Sequence, residues 1–511
     1  MKSLLLGTAA GLVAIAGAQA ADLPVKANPV QYVKICSLYG AGFYYIPGTD
    51  MCLKIGGWIR QYLAVNALST TNGALAGNLN TRAQNNGFTW KVRGYITADA
   101  RNQSEYGTVR GYISIGTSIQ GTNGGQGAAG AGGVSTGGFN ANRAFIQWAG
   151  FTFGVSQSFY DIYPTPALSY WGGMANPSSD TSDGGQTVTA YTAQFGNGFS
   201  ASLAAEAPRS NNVIGDRFGA ANLSTINLAG VVAGQQNIST RYPDVVGNLR
   251  VDQAWGSAAV MGAIHDASGL YYGPNTDFGK PNDAMGWVAG AGIKLLAPMI
   301  APGDYFSAQV NYANGATGYP IDGSTTPAPS GGAASLGYGS YGAVHGGTGG
   351  SFGIGVVSDS VYGVLGGVGT DIQLTTTWGV NAGYEHFWNK RWQTSVYGAY
   401  TATSYNATAN AVLCRIEGGH GAVSGTIGPE MTVANGCNNN WAYWAVGTRT
   451  QFNIDSQTYM GLDVIYTDLK SATNNVAINT VGSGAQPNAL RTIGDQSAWM
   501  VQFRVHRNFY P

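Results

Sequence analysis

The sequence predicts an all-β fold: a 16-stranded antiparallel transmembrane β-barrel with short periplasmic turns and long extracellular loops. Three observations predict it. Strand-length segments alternate apolar and polar residues, charged residues are scarce, and the connections alternate between short and long. Together they separate a membrane barrel from a soluble β-sandwich, because only the membrane barrel turns its apolar faces outward to lipid and its polar faces inward to water.

The segment 88–102 shows the alternation most clearly. One side carries Phe88, Trp90, Val92, Gly94, Ile96, Ala98 and Ala100, and the other carries Lys91, Arg93, Asp99 and Arg101. Successive side chains of a strand point to opposite faces, so this spacing predicts a strand with one apolar and one ionised face.

The composition excludes several classes of protein. Charged residues make up 10% of the 511 residues, against roughly 25% in ordinary soluble domains. The 25 basic and 25 acidic residues balance, so no large basic surface for nucleic acid is expected. After the first 20 residues no 18-residue stretch is free of charges and breakers, which leaves strands as the elements that could cross a membrane.

The first 20 residues have the features of a signal peptide. A basic residue, Lys2, precedes an apolar stretch, and Ala18-Gln19-Ala20 provides the small residues of a cleavage site. We therefore predict a signal peptide at 1–20, an N-terminal periplasmic segment at 21–51, and a barrel at 52–511.

Sixteen segments with a period of two are bounded by turn residues. The predicted strands are 52–65, 88–102, 106–118, 142–150, 151–157, 187–196, 199–207, 244–252, 257–265, 285–296, 304–313, 371–386, 391–403, 442–452, 457–468 and 497–509. Short turns follow the even-numbered strands up to the fourteenth, and long connections follow the odd-numbered ones. Outer-membrane barrels sort their connections in this way. The long connections are rich in Gly, Asn, Ser and Thr, and we expect them to be exposed to solvent.

The four cysteines fall into two local groups, Cys36 with Cys52 and Cys414 with Cys437. In an exported chain, local pairing would give two disulfides. Zinc binding is the alternative, but the spacings are long and His420 is the only histidine near any of them. No metal or other cofactor is predicted.

The N-terminal sequence resembles the signature of the alphaproteobacterial outer-membrane porin family. The stretch from Val33 to Gly57 reads VKICSLYGAGFYYIPGTDMCLKIGG and follows ADLPV at 21–25. Further similarity lies at NLRVDQAWG (248–256) and WGVNAGYEH (378–386). The resemblance implies a sixteen-stranded homotrimeric general diffusion porin in the bacterial outer membrane. It would contact lipid and lipopolysaccharide and pass small hydrophilic solutes and ions through a water-filled channel.

The same resemblance implies that the third long loop, at about 157–186, folds into the barrel and constricts the pore. Asp161, Asp180 and Asp183 are then the predicted acidic lining. Alternate residues of a strand share a face, and this alternation places several basic side chains on the inward face, where they would form a basic wall. They are Arg60, Lys91, Arg93, Arg110 and Arg143. For each of them, a position at one mouth of the barrel is the alternative.

Three other functions are compatible with a β-barrel. A barrel hydrolase would need a serine, histidine and carboxylate arrangement, or paired carboxylates, and none was identified around the five histidines. A gated transporter would need a plug domain, for which 21–51 is too short. A substrate-specific channel for sugars or organic acids stays open, because loop geometry decides it. We predict a channel without catalytic residues.

Overall fold

The structure is a computed structural model of the chain. It describes residues 35–65, 88–121, 134–136, 139–162, 168–171, 179, 181, 184–210, 212–215, 241–273, 276–321, 351–352, 355, 357–417, 436–480 and 489–510. The predicted signal peptide at 1–20 lies outside these residues, and the segment 21–51 is described from residue 35 onward.

Sixteen antiparallel strands form a closed barrel over the described part of the chain. Each strand pairs with its neighbours in sequence, and the first strand also pairs with the last, with Trp58 opposite Asn508. The strands are β1 (Cys52–Val65), β2 (Phe88–Ser104), β3 (Gly107–Gly121), β4 (Asn140–Trp148), β5 (Phe151–Ser156), β6 (Gln186–Gly196), β7 (Phe199–Glu206), β8 (Asp244–Gln253), β9 (Gly256–Asp266), β10 (Met285–Leu296), β11 (Tyr305–Asn314), β12 (Thr376–Phe387), β13 (Trp392–Ser404), β14 (Trp441–Asn453), β15 (Thr458–Lys470) and β16 (Gln496–Asn508). The predicted fold class is confirmed.

The two faces of the barrel wall differ in chemistry as the alternation predicts. Outward side chains are apolar and exposed, such as Ile59 at 55% and Leu249 at 61%. Their inward neighbours are polar, and many of them are buried, such as Gln309 and Asp463. A continuous exposed apolar surface of this kind matches a lipid environment.

The connections sort by length as predicted. The short connections comprise residues 105–106, 149–150, 197–198, 254–255, 297–304, 388–391 and 454–457. At 197–198 the backbone reverses through Asn197 and Gly198, both at positive φ. A side chain at Gly198 would overlap the carbonyl oxygen of Asp252 on the neighbouring strand, so this turn requires glycine.

Two predicted strand boundaries are wrong for identifiable reasons. The fourth strand ends at Trp148, because Ala149 and Gly150 adopt positive φ and make the turn. The twelfth strand begins at Thr376 rather than at 371, because Gln373–Leu374 pairs with a short strand at 358–362 outside the barrel wall. Local propensity favours a continuous strand there, and tertiary pairing overrides it.

The expectation that the long connections are simply exposed is also wrong in part. Five of them, the third long loop included, contribute to a buried apolar cluster that continues from the barrel wall. Its members from the connections include Ile214, Ile321, Val357, Val361, Val412, Leu413, Ala472 and Ile493. Helix α1 (Ala407–Glu417) packs there beside the short strand at 358–362. Among the described residues, no helix is both long and apolar enough to cross a bilayer.

The four cysteines form two disulfides, Cys36–Cys52 and Cys414–Cys437. The first joins the N-terminal segment to the start of β1, where Phe43 is buried against it. The second joins α1 to the segment that leads into β14. Both bonds therefore fix segments outside the wall to the barrel.

Candidate functional site: the third long loop and the inner wall

The third long loop joins β5 to β6 and enters the barrel, and its first described arm is Gln157–Ile162. The inward Glu206 carboxylate on β7 accepts hydrogen bonds from Ser158 Oγ at 2.6 Å and from the Phe159 amide at 2.7 Å. Tyr160 then donates its hydroxyl to Asn311 Oδ1 on β11 at 3.0 Å. The first arm therefore lies along the inner wall formed by β7 to β11.

Glycines on the inward face of β10 make room for this arm. A Cβ added at Gly290 would lie 2.5 Å from the Tyr160 hydroxyl, and one at Gly292 would lie 2.6 Å from Ile162 Cγ2. An inward side chain at either position would push the loop off the wall. The local sequence of β10 thus permits a close approach that larger residues would forbid.

The second described arm of the loop, Leu168–Trp171, lies on a different part of the wall. Asp463 on β15 accepts hydrogen bonds from Ser169 Oγ at 3.1 Å and from the Tyr170 amide at 2.5 Å. Tyr170 donates its hydroxyl to Gln451 on β14 at 2.9 Å, and its carbonyl accepts from Arg504 Nη2 on β16 at 2.9 Å. Ser395 on β13 donates its hydroxyl to the Leu168 carbonyl. The loop therefore contacts the lumen wall along β7 to β11 and along β13 to β16.

Arg209, just after β7, ties the two ends of the loop together. Its guanidinium forms an ion pair with Asp161 at 2.5 Å and donates to Ser179 Oγ at 3.1 Å. Its Cζ lies 4.6 Å from the centre of the Tyr319 ring. Both partners of the ion pair are fully buried. Burial lowers the pKa of the Arg209 guanidinium, but Asp161, Tyr319 and Glu206 together more than offset this and hold that pKa above its ordinary value.

The predicted acidic lining therefore has two different outcomes. Asp161 is inside the folded loop, where its second oxygen also accepts hydrogen bonds from the Thr181 amide and hydroxyl, so this carboxylate does not face the channel. Asp180 and Asp183 lie outside the described residues, and their lining role stays a prediction. Sequence reasoning missed Arg209, because nothing local marks it; its partner is 48 positions away.

The predicted basic residues differ in what they contact. Arg60 and Arg93 are direct register partners on β1 and β2. Lys91 lies on the same wall, 5.9 Å from the Tyr62 ring. Arg110 lies farther along, where it shares the Asp99 carboxylate with Arg101. The fifth, Arg143, lies on β4 and donates to the Asn142 carbonyl at 2.6 Å.

The inward face of β16 and β1 to β4 is strongly unbalanced in charge. Its described residues include eight basic side chains and one carboxylate, Asp99, counted over the strand bounds given above. The basic residues are Lys54, Arg60, Lys91, Arg93, Arg101, Arg110, Arg143 and Arg504. Around the barrel, β1 to β3 lie between β16 and β7, two strands that the third long loop contacts. A solute moving past the loop would therefore meet a positively charged wall.

A second buried network fixes another long connection to the inner wall. His265 Nδ1 on β9 lies 2.7 Å from Asp244 Oδ1, and its Nε2 lies 3.4 Å from Asp359 Oδ2. Asp359 also accepts from the Thr317 amide and hydroxyl, both at 2.8 Å. These contacts hold the connection between β11 and β12 in place. In the part of the chain that the structure describes, no cluster of side chains is suited to hold a metal ion.

Comparison with known proteins adds the following similarities. The chain matches the family model described as "Porin subfamily" over residues 22–501. It is 32% identical over 264 residues to Porin Omp2b of Brucella abortus (strain 2308) and, over the same length, to Porin Omp2b of Brucella suis biovar 1 (strain 1330). The aligned region is 51% of this chain and 64% of the length of those curated relatives.

One solved structure is similar in fold across the chain. It is the crystal structure of the outer membrane channel DcaP of Acinetobacter baumannii, with a TM-score of 0.50 and 11% sequence identity. The match covers 91% of this chain and 99% of that chain. At 11% sequence identity this similarity is evidence for the fold alone.

Proposed function

The chain belongs to the porin subfamily, a family of the bacterial outer membrane, and from that membership we propose that it forms a water-filled channel for passive diffusion of small hydrophilic solutes and ions. The side chains of a barrel of about sixteen strands cannot fill its lumen, so water occupies what the loops leave open. Solutes then move down their own gradients without a chemical step. The protein acts as a channel and not as an enzyme.

One observation carries the proposal most strongly. The third long loop is held on the inner wall along β7 to β11 and β13 to β16, while β1 to β3, which lie between these two groups of strands, present charged side chains. A loop fixed inside the lumen narrows it, and the facing wall then sets which ions pass. The narrowest part of the passage is thus bounded by the loop at 157–186 and by Arg60, Lys91, Arg93, Arg110 and Arg143.

The excess of basic residues on that wall favours anions over cations. Asp180 and Asp183 on the loop are the remaining candidates for an acidic side, which would set up a transverse field across the passage. Asp161 takes no part in this lining in our proposal, since Arg209 already neutralises it inside the loop. Its role is to hold the loop in the lumen.

We further propose that three copies of the chain assemble into a trimer in the outer membrane, with lipid and lipopolysaccharide around the exposed outward faces. The apolar outward surface supports a lipid contact, since residues such as Ile96, Val260 and Trp499 are more than half exposed. A trimer that resists dodecyl sulfate without heating, and that converts to a monomer on heating, would support this assembly.

The selectivity of the channel tests the basic wall. We expect Arg93→Gln and Arg110→Gln each to lower the anion-to-cation permeability ratio by about two- to fivefold, because a unit charge a few ångströms from a passing ion contributes about 1 kcal/mol in water. The effect of Arg93→Gln should be the larger, since Arg110 shares Asp99 with Arg101. Reversal potentials in planar bilayers under a salt gradient measure this ratio.

Arg391→Gln serves as the matched control, because Arg391 lies in the turn between β12 and β13, outside the passage. Its reversal potential should equal that of the unmodified protein. Unchanged reversal potentials for both Arg93→Gln and Arg110→Gln would contradict their placement at the constriction. A purified protein that gives no steady conductance would contradict the proposed function itself.

A further inference from the structure

The register of β16, β1 and β2 places basic and aromatic side chains in rows across the inner wall. In one row Tyr62 lies between Arg504 and Lys91, and in the next Arg60 lies between His506 and Arg93. All of these side chains point inward. We name the arginine–aromatic patch as the following six residues: Trp58, Arg60, Tyr62, Lys91, Arg93 and Arg504.

The cationic groups of the patch lie over ring faces. Arg60 Cζ is 4.7 Å from the centre of the Trp58 ring, and Arg93 Cζ is 5.6 Å from it. Arg504 Cζ and Lys91 Nζ lie 5.8 and 5.9 Å from the Tyr62 ring. Stacking on a ring orders a long side chain before any solute arrives, so less side-chain entropy is lost when a solute binds.

A neighbouring site on the same wall shows what a carboxylate does between two opposed arginines. Arg101 and Arg110 are direct register partners on β2 and β3, and like charges in that position repel each other. The Asp99 carboxylate lies 2.7 Å from Arg101 and 2.9 Å from Arg110, which offsets the repulsion. Arg60 and Arg93 are opposed in the same way on β1 and β2. Arg60 Nε also donates to His506 Nδ1 at 3.3 Å. A solute carboxylate that reaches these two partly exposed side chains would meet cations from two opposed strands.

The patch also offers a preference for flat rings. Arg60, Tyr62, Lys91 and Arg93 are partly exposed, so part of each side chain is accessible from the lumen. A planar guanidinium binds a carboxylate through its edge and stacks on an aromatic ring through its face. A solute that carries both a carboxylate and an aromatic ring could use both modes, whereas a simple inorganic anion could use only the first.

The patch lies beside the third long loop, because Arg504 donates to the Tyr170 carbonyl and its Cζ lies 4.1 Å from the centre of the Tyr170 ring. We infer that the arginine–aromatic patch is a binding site for aromatic carboxylates that cross the channel. This inference rests on the proposed function, since a solute reaches the patch only through an open passage. It adds a class of preferred solute to a channel that otherwise selects by size and charge.

Block of the ion current by two matched anions tests the inference. Benzoate and cyclohexanecarboxylate have the same charge and similar size, but only benzoate has a flat aromatic ring. With the unmodified protein in a planar bilayer, we expect benzoate to halve the current at a concentration about tenfold lower than cyclohexanecarboxylate does. A tenfold ratio is what one stacking contact between a ring and a partly desolvated cation would contribute.

Two variants test whether the preferential block by benzoate arises at the arginine–aromatic patch. Arg60→Lys keeps the charge but removes the planar guanidinium, and Tyr62→Leu keeps every charge but removes a ring. Each should raise the half-blocking concentration of benzoate about fivefold and change that of cyclohexanecarboxylate by less than about twofold. Arg250→Lys, on β8 and paired with Asp252 at 2.8 Å, is the control and should behave as the unmodified protein does. Heat-dependent gel mobility verifies that each variant is folded.

Equal block by the two anions in the unmodified protein would overturn the inference and leave the proposed channel intact. Benzoate selectivity that survives in both Arg60→Lys and Tyr62→Leu would also overturn it, since the preference would then arise elsewhere. Absence of any conductance in the unmodified protein would overturn the proposed function and, with it, this inference.

Discussion

Two arginines in this barrel make nearly the same contact with an aromatic ring in very different surroundings. Arg209 Cζ lies 4.6 Å from the Tyr319 ring, and Arg60 Cζ lies 4.7 Å from the Trp58 ring. Arg209 is fully buried and forms an ion pair with Asp161. Arg60 is partly exposed on the lumen wall. Burial, rather than the ring contact, therefore separates an arginine that holds the fold from one that can meet a solute.

Replacement of Arg209 should have the largest effect on stability. Arg209→Met leaves the Asp161 carboxylate buried without its cation, and loss of one partner of a buried pair costs about 3–5 kcal/mol. The free energy of unfolding in urea, measured in detergent micelles by tryptophan fluorescence, should fall by that amount. Because the third long loop loses an anchor, the single-channel current should also become noisier.

Arg241→Met is the matched control for this change. Arg241 also pairs with carboxylates, Asp266 and Asp283, and its Cζ lies 5.5 Å from the Tyr242 ring, but it is exposed. An exposed pair contributes up to about 1 kcal/mol. Equal losses of stability in the two variants would contradict the distinction between a buried structural arginine and an accessible one.

A smaller effect is expected from crowding the second arm of the third long loop. A side chain at Gly461 would overlap the Tyr170 hydroxyl, so Gly461→Ala should displace that arm at a cost of about 1–3 kcal/mol. Gly94→Ala is the control, since a Cβ there meets nothing within 4 Å, and its cost should stay below about 0.5 kcal/mol. Urea unfolding and single-channel conductance measure both changes.

If Gly461→Ala leaves both the stability and the conductance unchanged, the arm does not lie against β15. If both glycine variants lose stability equally, the loss arises from the backbone and not from the loop contact. Either result would contradict the expected contact between the second arm and β15.

Much of the architecture could be predicted from the sequence because a strand has a strict period of two. The strand count, the alternation of connection lengths and the inward direction of Arg60 and Arg93 all follow from that period. The resemblance to the porin family, stated on the N-terminal signature, is confirmed by the family match. The short strand at 373–374 could not be predicted, because its partner at 360–361 is reached only through tertiary folding.

The candidate site was less accessible to sequence reasoning. The resemblance implies that the third long loop enters the lumen but does not indicate which of its carboxylates stay exposed, so Asp161 was predicted as a lining residue although it is buried in an ion pair with Arg209. The rows of the arginine–aromatic patch could not be predicted from the sequence either. Those rows depend on the register of β16 with β1, and the two strands are more than 400 positions apart in the sequence.

The central claim is that the face carrying Arg60 lines a water-filled passage while the face carrying Ile59 meets lipid. All four cysteines of the chain are in disulfides, so a single added cysteine would be the one reactive thiol. We therefore propose to follow the current through Arg60→Cys and Ile59→Cys channels while adding the water-soluble thiol reagent 2-sulfonatoethyl methanethiosulfonate. We expect a stepwise fall in current for Arg60→Cys and none for Ile59→Cys. A fall for Ile59→Cys with none for Arg60→Cys would reverse the assignment of the two faces.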